Sequence, residues 1–171
     1  MKVLIIIDMQ NDFIDGTLGT KEAVSIIPYI KKKIEEYQMN GNEIVYTRDT
    51  HTVNYLNTQE GKKLPVEHCI VGTDGWKIHK DLVIENAKIF DKPTFGSVDL
   101  ANYFMEREEK MEFELVGVCT DICVISNAML LKAYYPESTI RVDAKGCAGV
   151  TVESHKNALN AMKMCQIEII E

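Results

Sequence analysis

Residues 1–10 read MKVLIIIDMQ, and the fold turns on the run from Val3 to Ile7. Five consecutive β-branched or leucine residues, with no polar position between them, fit a strand covered on both faces rather than one with a wet side. Such strands belong to parallel sheets flanked by helices. The same run is short, ends in an acid and has no small-residue cleavage pattern after it, so it is not read as a secretion signal.

Working outward, residues 22–39 carry a helical pattern, and the turn at Asn40-Gly41 leads into a second strand at Glu43–Thr47. Residues 49–86 are polar and weakly periodic, which predicts loop with short helical pieces. Then follow a strand at Ala87–Phe90, a helix over 98–109, a strand at Glu114–Val118, a helix over 121–134, a strand at Thr139–Val142, a helix over 151–164 and a strand at Ile167–Ile170. Strands alternating with helices imply an α/β fold with a mostly parallel sheet, whose ligands collect beyond the carboxyl ends of the strands.

At 171 residues, with no repeat and no linker-like tract, the chain reads as a single domain, 1–171. No segment is long and apolar enough for a membrane span, and the expected location is cytoplasmic. Five cysteines, an odd number, fit free thiols in a reducing compartment better than a disulfide framework. A formal net charge of −7 argues against nucleic acid or an anionic membrane as partner. The one dense basic run, Lys31 to Lys33, reads as the solvated side of a helix.

Three strand ends carry candidate chemistry. Asp8 ends the first strand, where a buried carboxylate must be paired or hydrogen-bonded, as a cap or as a catalytic acid or base. Lys92 follows the third, within DKPTFGS, and reads as a solvated loop residue unless it faces a thiolate and a carboxylate. The fourth delivers GVCTDICV, residues 117–124, in which Thr120 is a candidate N-cap and Cys123 falls in the first helical turn. A thiol there meets unpaired N–H donors and a helix dipole that lowers its pKa, so Cys123 reads as a nucleophile. A metal clip lacks a second cysteine pair, and a Cys119–Cys123 disulfide is awkward between a strand end and a helix start. Small apolar core filler is the reading for Cys119, Cys147 and Cys165.

The second strand ends in RDTH. Residues two apart in extended chain share a side, so Asp49 and His51 could grip one cation, with His68 of PVEHC as a third ligand. Glu60 is in range as a fourth, directly or through water. Two histidines and a carboxylate suit Zn, Fe or Mn. As a lone D-x-H motif, the same residues are simply polar loop. His79 and His155 read as ordinary surface or helix-end histidines.

Taken in order, IDMQNDF (7–13), RDTH (48–51), PVEHC (65–69), DK (91–92) and GVCTDICV (117–124) resemble the isochorismatase-like cysteine hydrolases and, within them, the nicotinamidases. The resemblance spans nearly the whole chain. It implies a three-layer α/β/α sandwich around a six-stranded parallel sheet, and a catalytic triad of Asp8, Lys92 and Cys123. It further implies an oxyanion hole from the backbone N–H groups of Cys119 and Cys123, with a cis Val118–Cys119 peptide. A divalent metal, zinc first with iron or manganese as alternatives, falls on Asp49, His51 and His68. The implied reaction is deamidation of a small-molecule amide, nicotinamide above all, through a thioester, by a homo-oligomer of two or more copies. Phe13 matches a pocket aromatic of the family. Leu64 departs from it, standing where relatives place an aromatic against the pyridine ring, and Tyr55, Trp76 or Phe95 are candidates to compensate. The departure keeps ureido, carbamoyl and other amides open as substrates. Isochorismatase-type vinyl-ether hydrolysis, which dispenses with the cysteine, and a non-catalytic binding module are the remaining alternatives.

Overall fold

Every residue from Val3 to Ile7 is fully buried, as a strand covered on both faces requires. The computed structural model describes residues 1–107 and 109–171. Six strands run in parallel: β1 (Lys2–Ile7), β2 (Glu43–Asp49), β3 (Lys88–Lys92), β4 (Glu112–Val118), β5 (Thr139–Ala148) and β6 (Glu168–Ile170). Their order across the sheet is β3-β2-β1-β4-β5-β6. The chain builds outward from β1 in one direction, returns, and builds outward in the other, so the crevice beyond β1 and β4 is the point where ligands collect in such folds.

The connecting helices are α1 (Asn11–Ile14), α2 (Lys21–Ser25), α3 (Ile27–Met39), α4 (Gln59–Lys63), α5 (Val98–Tyr103), α6 (Ile125–Tyr134) and α7 (Val152–Met164). Side chains of β1 alternate between the two layers. Val3, Ile5 and Ile7 pack with Leu100 and Phe104 near α5, Ala128 and Leu131 of α6, and Met162 of α7. Leu4 and Ile6 pack with Ile14, Ala23, Ile30 and Ile34 on α1 to α3. The result is the α/β/α sandwich that the resemblance implies.

Several boundaries differ from the sequence pattern. The helix expected over 22–39 is two, α2 and α3, with Pro28 at the start of α3, where its missing N–H costs nothing. The helix expected over 98–109 ends at Tyr103; Glu108, within that range, lies outside the described residues. The fifth strand does not stop at Val142. It crosses an irregularity and resumes pairing at Cys147 and Ala148, because buried Asp143 is satisfied by Tyr29, whose hydroxyl donates to it at 2.9 Å, and by Lys33 at 2.5 Å. Opposite that irregularity, Gly117 has φ +124° and lies so close to β1 that a Cβ would stand 2.1 Å from the Ile7 carbonyl oxygen. Only glycine fits there.

Lys33 also corrects the reading of Lys31 to Lys33 as a solvated stripe. Its ammonium is largely buried between Glu114 and Asp143. Burial alone would lower its pKa, but hydrogen bonds to those two acids outweigh it and hold the group at about 12.

Candidate active site

Four strand ends meet beyond β1 and β4. Asp8 follows β1 directly, fully buried, in the left-handed region at φ 49°, and its Oδ1 accepts a hydrogen bond from the Thr47 hydroxyl at 2.7 Å. Lys92 ends β3 in register with Asp49, which ends β2. Its Nζ lies 2.6 Å from Asp8 Oδ2, 3.6 Å from Asp49 Oδ1 and 3.5 Å from Cys123 Sγ, and also donates to the Thr94 carbonyl at 3.1 Å. Sulfur, carboxylate and ammonium, remote in the chain, thus converge where sequence order alone could not bring them.

Cys123 sits in a π-helical turn, Thr120–Val124, that runs directly into α6, and the Val118–Cys119 peptide before it is cis. The N–H groups of Ile122 and Val124 both donate to the Cys119 carbonyl, folding the turn back on itself. Thr120 does not cap it: the residue at that position is Cys119, with no side-chain cap. The N-terminal dipole does not win at Cys123 either. Burial pushes its thiol well above the ordinary value, with the Asp8 charge adding to burial and Lys92 opposing, so the resting group is a thiol rather than the thiolate expected from the helix position. Burial likewise raises Asp8, against Lys92. For Lys92 the order reverses: burial favours the neutral amine, but Asp8 and its other anionic neighbours outweigh it and keep the ammonium charged.

Asp49, His51 and His68 form the second cluster, with one ligand atom from each within 4.8 Å of the others. His51 Nε2 is buried without a well-formed hydrogen bond, 2.9 Å from Asp49 Oδ2. His68 Nδ1 engages the Val66 carbonyl at 2.8 Å, which assigns its proton there and leaves Nε2 as a lone-pair donor. Glu60 Oε1 stands 3.8 Å from His51 Nε2 and 3.9 Å from His68 Nε2. Burial works against the Asp49 charge, but the two histidines outweigh it and hold the carboxyl far below the usual range. Two imidazole nitrogens and a carboxylate around one point, one nitrogen orphaned, fit a divalent cation of the borderline type.

A pocket of about 340 Å³ opens over both clusters, lined by Phe13, Leu64, Phe95, Ile122, Asp49 and Cys123, among others. A larger groove of about 640 Å³ beside Arg48, Lys77 and His79 is lined by none of the triad. Of the aromatics proposed to compensate for Leu64, only Phe95 lines the smaller pocket. Tyr55 is buried beneath the histidines with its hydroxyl on the Leu64 carbonyl at 2.9 Å, and Trp76 lies under the Arg48 guanidinium. Of the cysteines read as core filler, Cys147 is core. Cys119 packs against the core on the α1–α3 side and also lines the pocket, with its thiol pushed up to about 12 by burial, and Cys165 is half-buried at the end of α7.

The isochorismatase domain family model matches residues 2–171. The chain belongs to the isochorismatase family. An uncharacterized isochorismatase family protein of Bacillus subtilis (strain 168) is 32% identical, covering 93% of this chain and 92% of that relative. A nicotinamidase/pyrazinamidase of Mycobacterium tuberculosis (strain ATCC 25618 / H37Rv) is 27% identical over 99% of this chain and 98% of its own. The crystal structure of a pyrazinamidase of Pyrococcus horikoshii in complex with zinc superposes with a TM-score of 0.87 at 29% identity, covering 99% of this chain and 98% of that one.

This isochorismatase-family site also depends on residues the motifs did not single out. Gln10, fully buried, donates to the Asp49 and Trp76 carbonyls at 2.8 and 2.9 Å and accepts the Asp49 N–H at 2.8 Å, tying the ends of β1 and β2 together. Asp12 accepts the Cys69 N–H at 2.8 Å and so fixes the loop that carries His68. Asn127, buried in α6, donates to the Cys123 and Phe95 carbonyls and accepts from the Ser97 N–H. Gln10 and Asp12 lie within the motif IDMQNDF but no role is assigned to them there, and Asn127 is marked only by its burial.

Proposed function

We propose that this protein is a cysteine amidohydrolase that deamidates nicotinamide to nicotinate and ammonia. The observation that carries the reading is the Asp8–Lys92–Cys123 cluster, with Lys92 Nζ at 2.6 Å from the carboxylate and 3.5 Å from the sulfur, at the floor of the apolar pocket.

Cys123 rests as a thiol, and burial makes Asp8 a stronger base than an ordinary carboxylate, so Asp8 is the group to take that proton as the amide arrives. Asp8 takes the thiol proton while Sγ bonds to the amide carbon and the carbonyl electrons move onto oxygen. The backbone N–H groups of Cys119 and Cys123 hold that oxyanion. The C–N bond then breaks, Asp8 returns the proton to the departing nitrogen, and ammonia leaves a thioester on Cys123. Water attacks the thioester with Asp8 as base, the C–S bond breaks, the sulfur recovers that proton from Asp8, and the carboxylic acid leaves, giving its remaining proton to solvent. Lys92 stays protonated throughout and balances the negative charge that passes between oxygen and sulfur.

Asp49, His51 and His68, with Glu60 beside them, would hold a zinc, iron or manganese ion, of which zinc is our first assignment. When bound, the ion supplies a Lewis-acidic anchor for a pyridine-type ring nitrogen. Phe13 and Phe95 provide aromatic wall for the ring. Leu64 offers an aliphatic surface in the same pocket, and this favours ureido or carbamoyl amides as the second reading. Among the described residues no helix is long and apolar enough to cross a membrane, and all five cysteines are unpaired, in keeping with a cytoplasmic enzyme. Ammonia release from nicotinamide and from a set of ureido and carbamoyl compounds, assayed with metal analysis of the same preparation, tests the proposal. Turnover of nicotinamide supports it, and release of ammonia from none of them refutes it.

A further inference from the structure

The turn that carries Cys123 is held from outside by a corner of the fold that the motifs do not include. Thr120, fully buried at the start of that turn, places its hydroxyl 2.8 Å from His155 Nδ1. His155 lies in the first turn of α7, and its own position is fixed three ways. Its N–H donates to the Thr151 carbonyl at 3.0 Å. Thr151 and Ser154 cap the helix reciprocally, and Gly149 packs so tightly that a Cβ there would stand 2.8 Å from the His155 Cβ. The adjacent residue makes a second tie: Asp121 Oδ1 accepts the Val150 N–H at 3.1 Å, and Val150 lines the pocket over Cys123. Burial lowers the His155 pKa, which favours the neutral ring near pH 7, and Nδ1 and the Thr120 hydroxyl share one hydrogen bond.

We infer that His155 is a positioning residue for the reaction: through Thr120 it fixes the Cys119–Cys123 turn, and with it the aim of Sγ and of the two oxyanion donors at the acyl carbon. The inference rests on the cysteine mechanism above. Loosening this bond leaves Phe13, Leu64 and the Asp49–His51–His68 cluster in place, so substrate binding persists while alignment suffers. Since a displacement of about 1 Å at reacting atoms costs about 10²-fold in rate, partial loosening is expected to lower kcat about tenfold or more with KM within about threefold.

The experiment compares His155→Leu and Thr120→Val, which remove the bond, with His155→Asn and Thr120→Ser, which retain an acceptor or a hydroxyl. Steady-state kinetics on nicotinamide are read beside amide hydrogen exchange of the peptide spanning residues 117–126 and the Tm of each variant. The expected result is a fall in kcat and faster exchange in the first pair, restored in the second, with no further loss in the doubly substituted His155→Leu, Thr120→Val protein. Thr120→Val is nearly isosteric and serves if His155→Leu does not fold. Parent-like kcat and exchange in the first pair overturn the inference, as does a His155→Asn protein that folds yet is as slow as His155→Leu. If the parent hydrolyses no amide, the functional reading fails, and the exchange rates alone still decide whether His155 pins the turn.

Discussion

Lys33 and Lys92 each lie buried against the sheet beside two carboxylates, Glu114 and Asp143 for one, Asp8 and Asp49 for the other. Around Lys33 the acid oxygens are occupied: Tyr37 donates to Glu114 at 2.7 Å, and Tyr29 and the Lys145 N–H donate to Asp143. Around Lys92 the arrangement is left open. Asp8 Oδ2 has no well-formed hydrogen bond despite the nearby ammonium, His51 Nε2 is orphaned, a sulfur lies 3.5 Å away, and the pocket begins there. A buried charge cluster with every partner in place holds a fold together, whereas one with deficits held in fixed positions is poised to take up a substrate or an ion.

Substitutions on the two sides of this comparison should separate activity from stability. Cys123→Ala is expected to lower kcat by about 10⁴-fold or more while leaving Tm near the parent's, measured by ammonia release and calorimetry. Asp8→Asn should cost about 10²- to 10⁴-fold in kcat, the range for loss of a general base. Lys33→Met should do the reverse, losing about 3–5 kcal/mol of stability by stranding two buried acids, with kcat per folded molecule unchanged. Equal effects of these substitutions on both quantities would erase the distinction between the clusters.

Stripping the metal with a chelator is expected to lower kcat/KM for nicotinamide by about 10²-fold, with recovery on adding zinc, a loss of the size seen when a metal site is disturbed. Leu64→Phe probes the pocket wall. A stacking ring contributes about 0.5–1.5 kcal/mol, so KM for nicotinamide should fall severalfold, and a rise would mean that the aliphatic wall serves a different acyl group. The smallest effect is a pH effect at the structural cluster. The Lys33 pKa is raised from 10.5 to about 12 in the folded chain, so its contribution is full below pH 10.5 and fades as pH climbs towards 12. The Tm gap between the parent and Lys33→Met should therefore narrow over that interval.

The sheet was legible because Val3–Ile7 could satisfy only one environment, and Asp8, Asp49 and Lys92 followed from where strands end. Periodicity could not foresee β5 continuing past Asp143, which depends on Tyr29 and Lys33 far along the chain, whereas the break at Ile26 between α2 and α3 had a local signal in Pro28. Each candidate metal ligand was visible in its motif, but whether RDTH and PVEHC meet is a matter of tertiary folding. The protonation of Cys123 was misread for the same reason. A helix start argues for a thiolate, and only burial beside Asp8 reverses that. The roles of Gln10, Asn127 and His155 could not be read locally, since each acts on a backbone or side-chain group 32 or more residues away or on the turn it holds.

The thioester is the most direct test. Parent enzyme mixed with nicotinamide, quenched in acid within the first turnovers and digested, should yield one peptide bearing a nicotinoyl group, the one containing Cys123, and none from the Cys123→Ala protein. Turnover without that adduct in parent and variant alike, or an adduct on a different cysteine, would contradict the account.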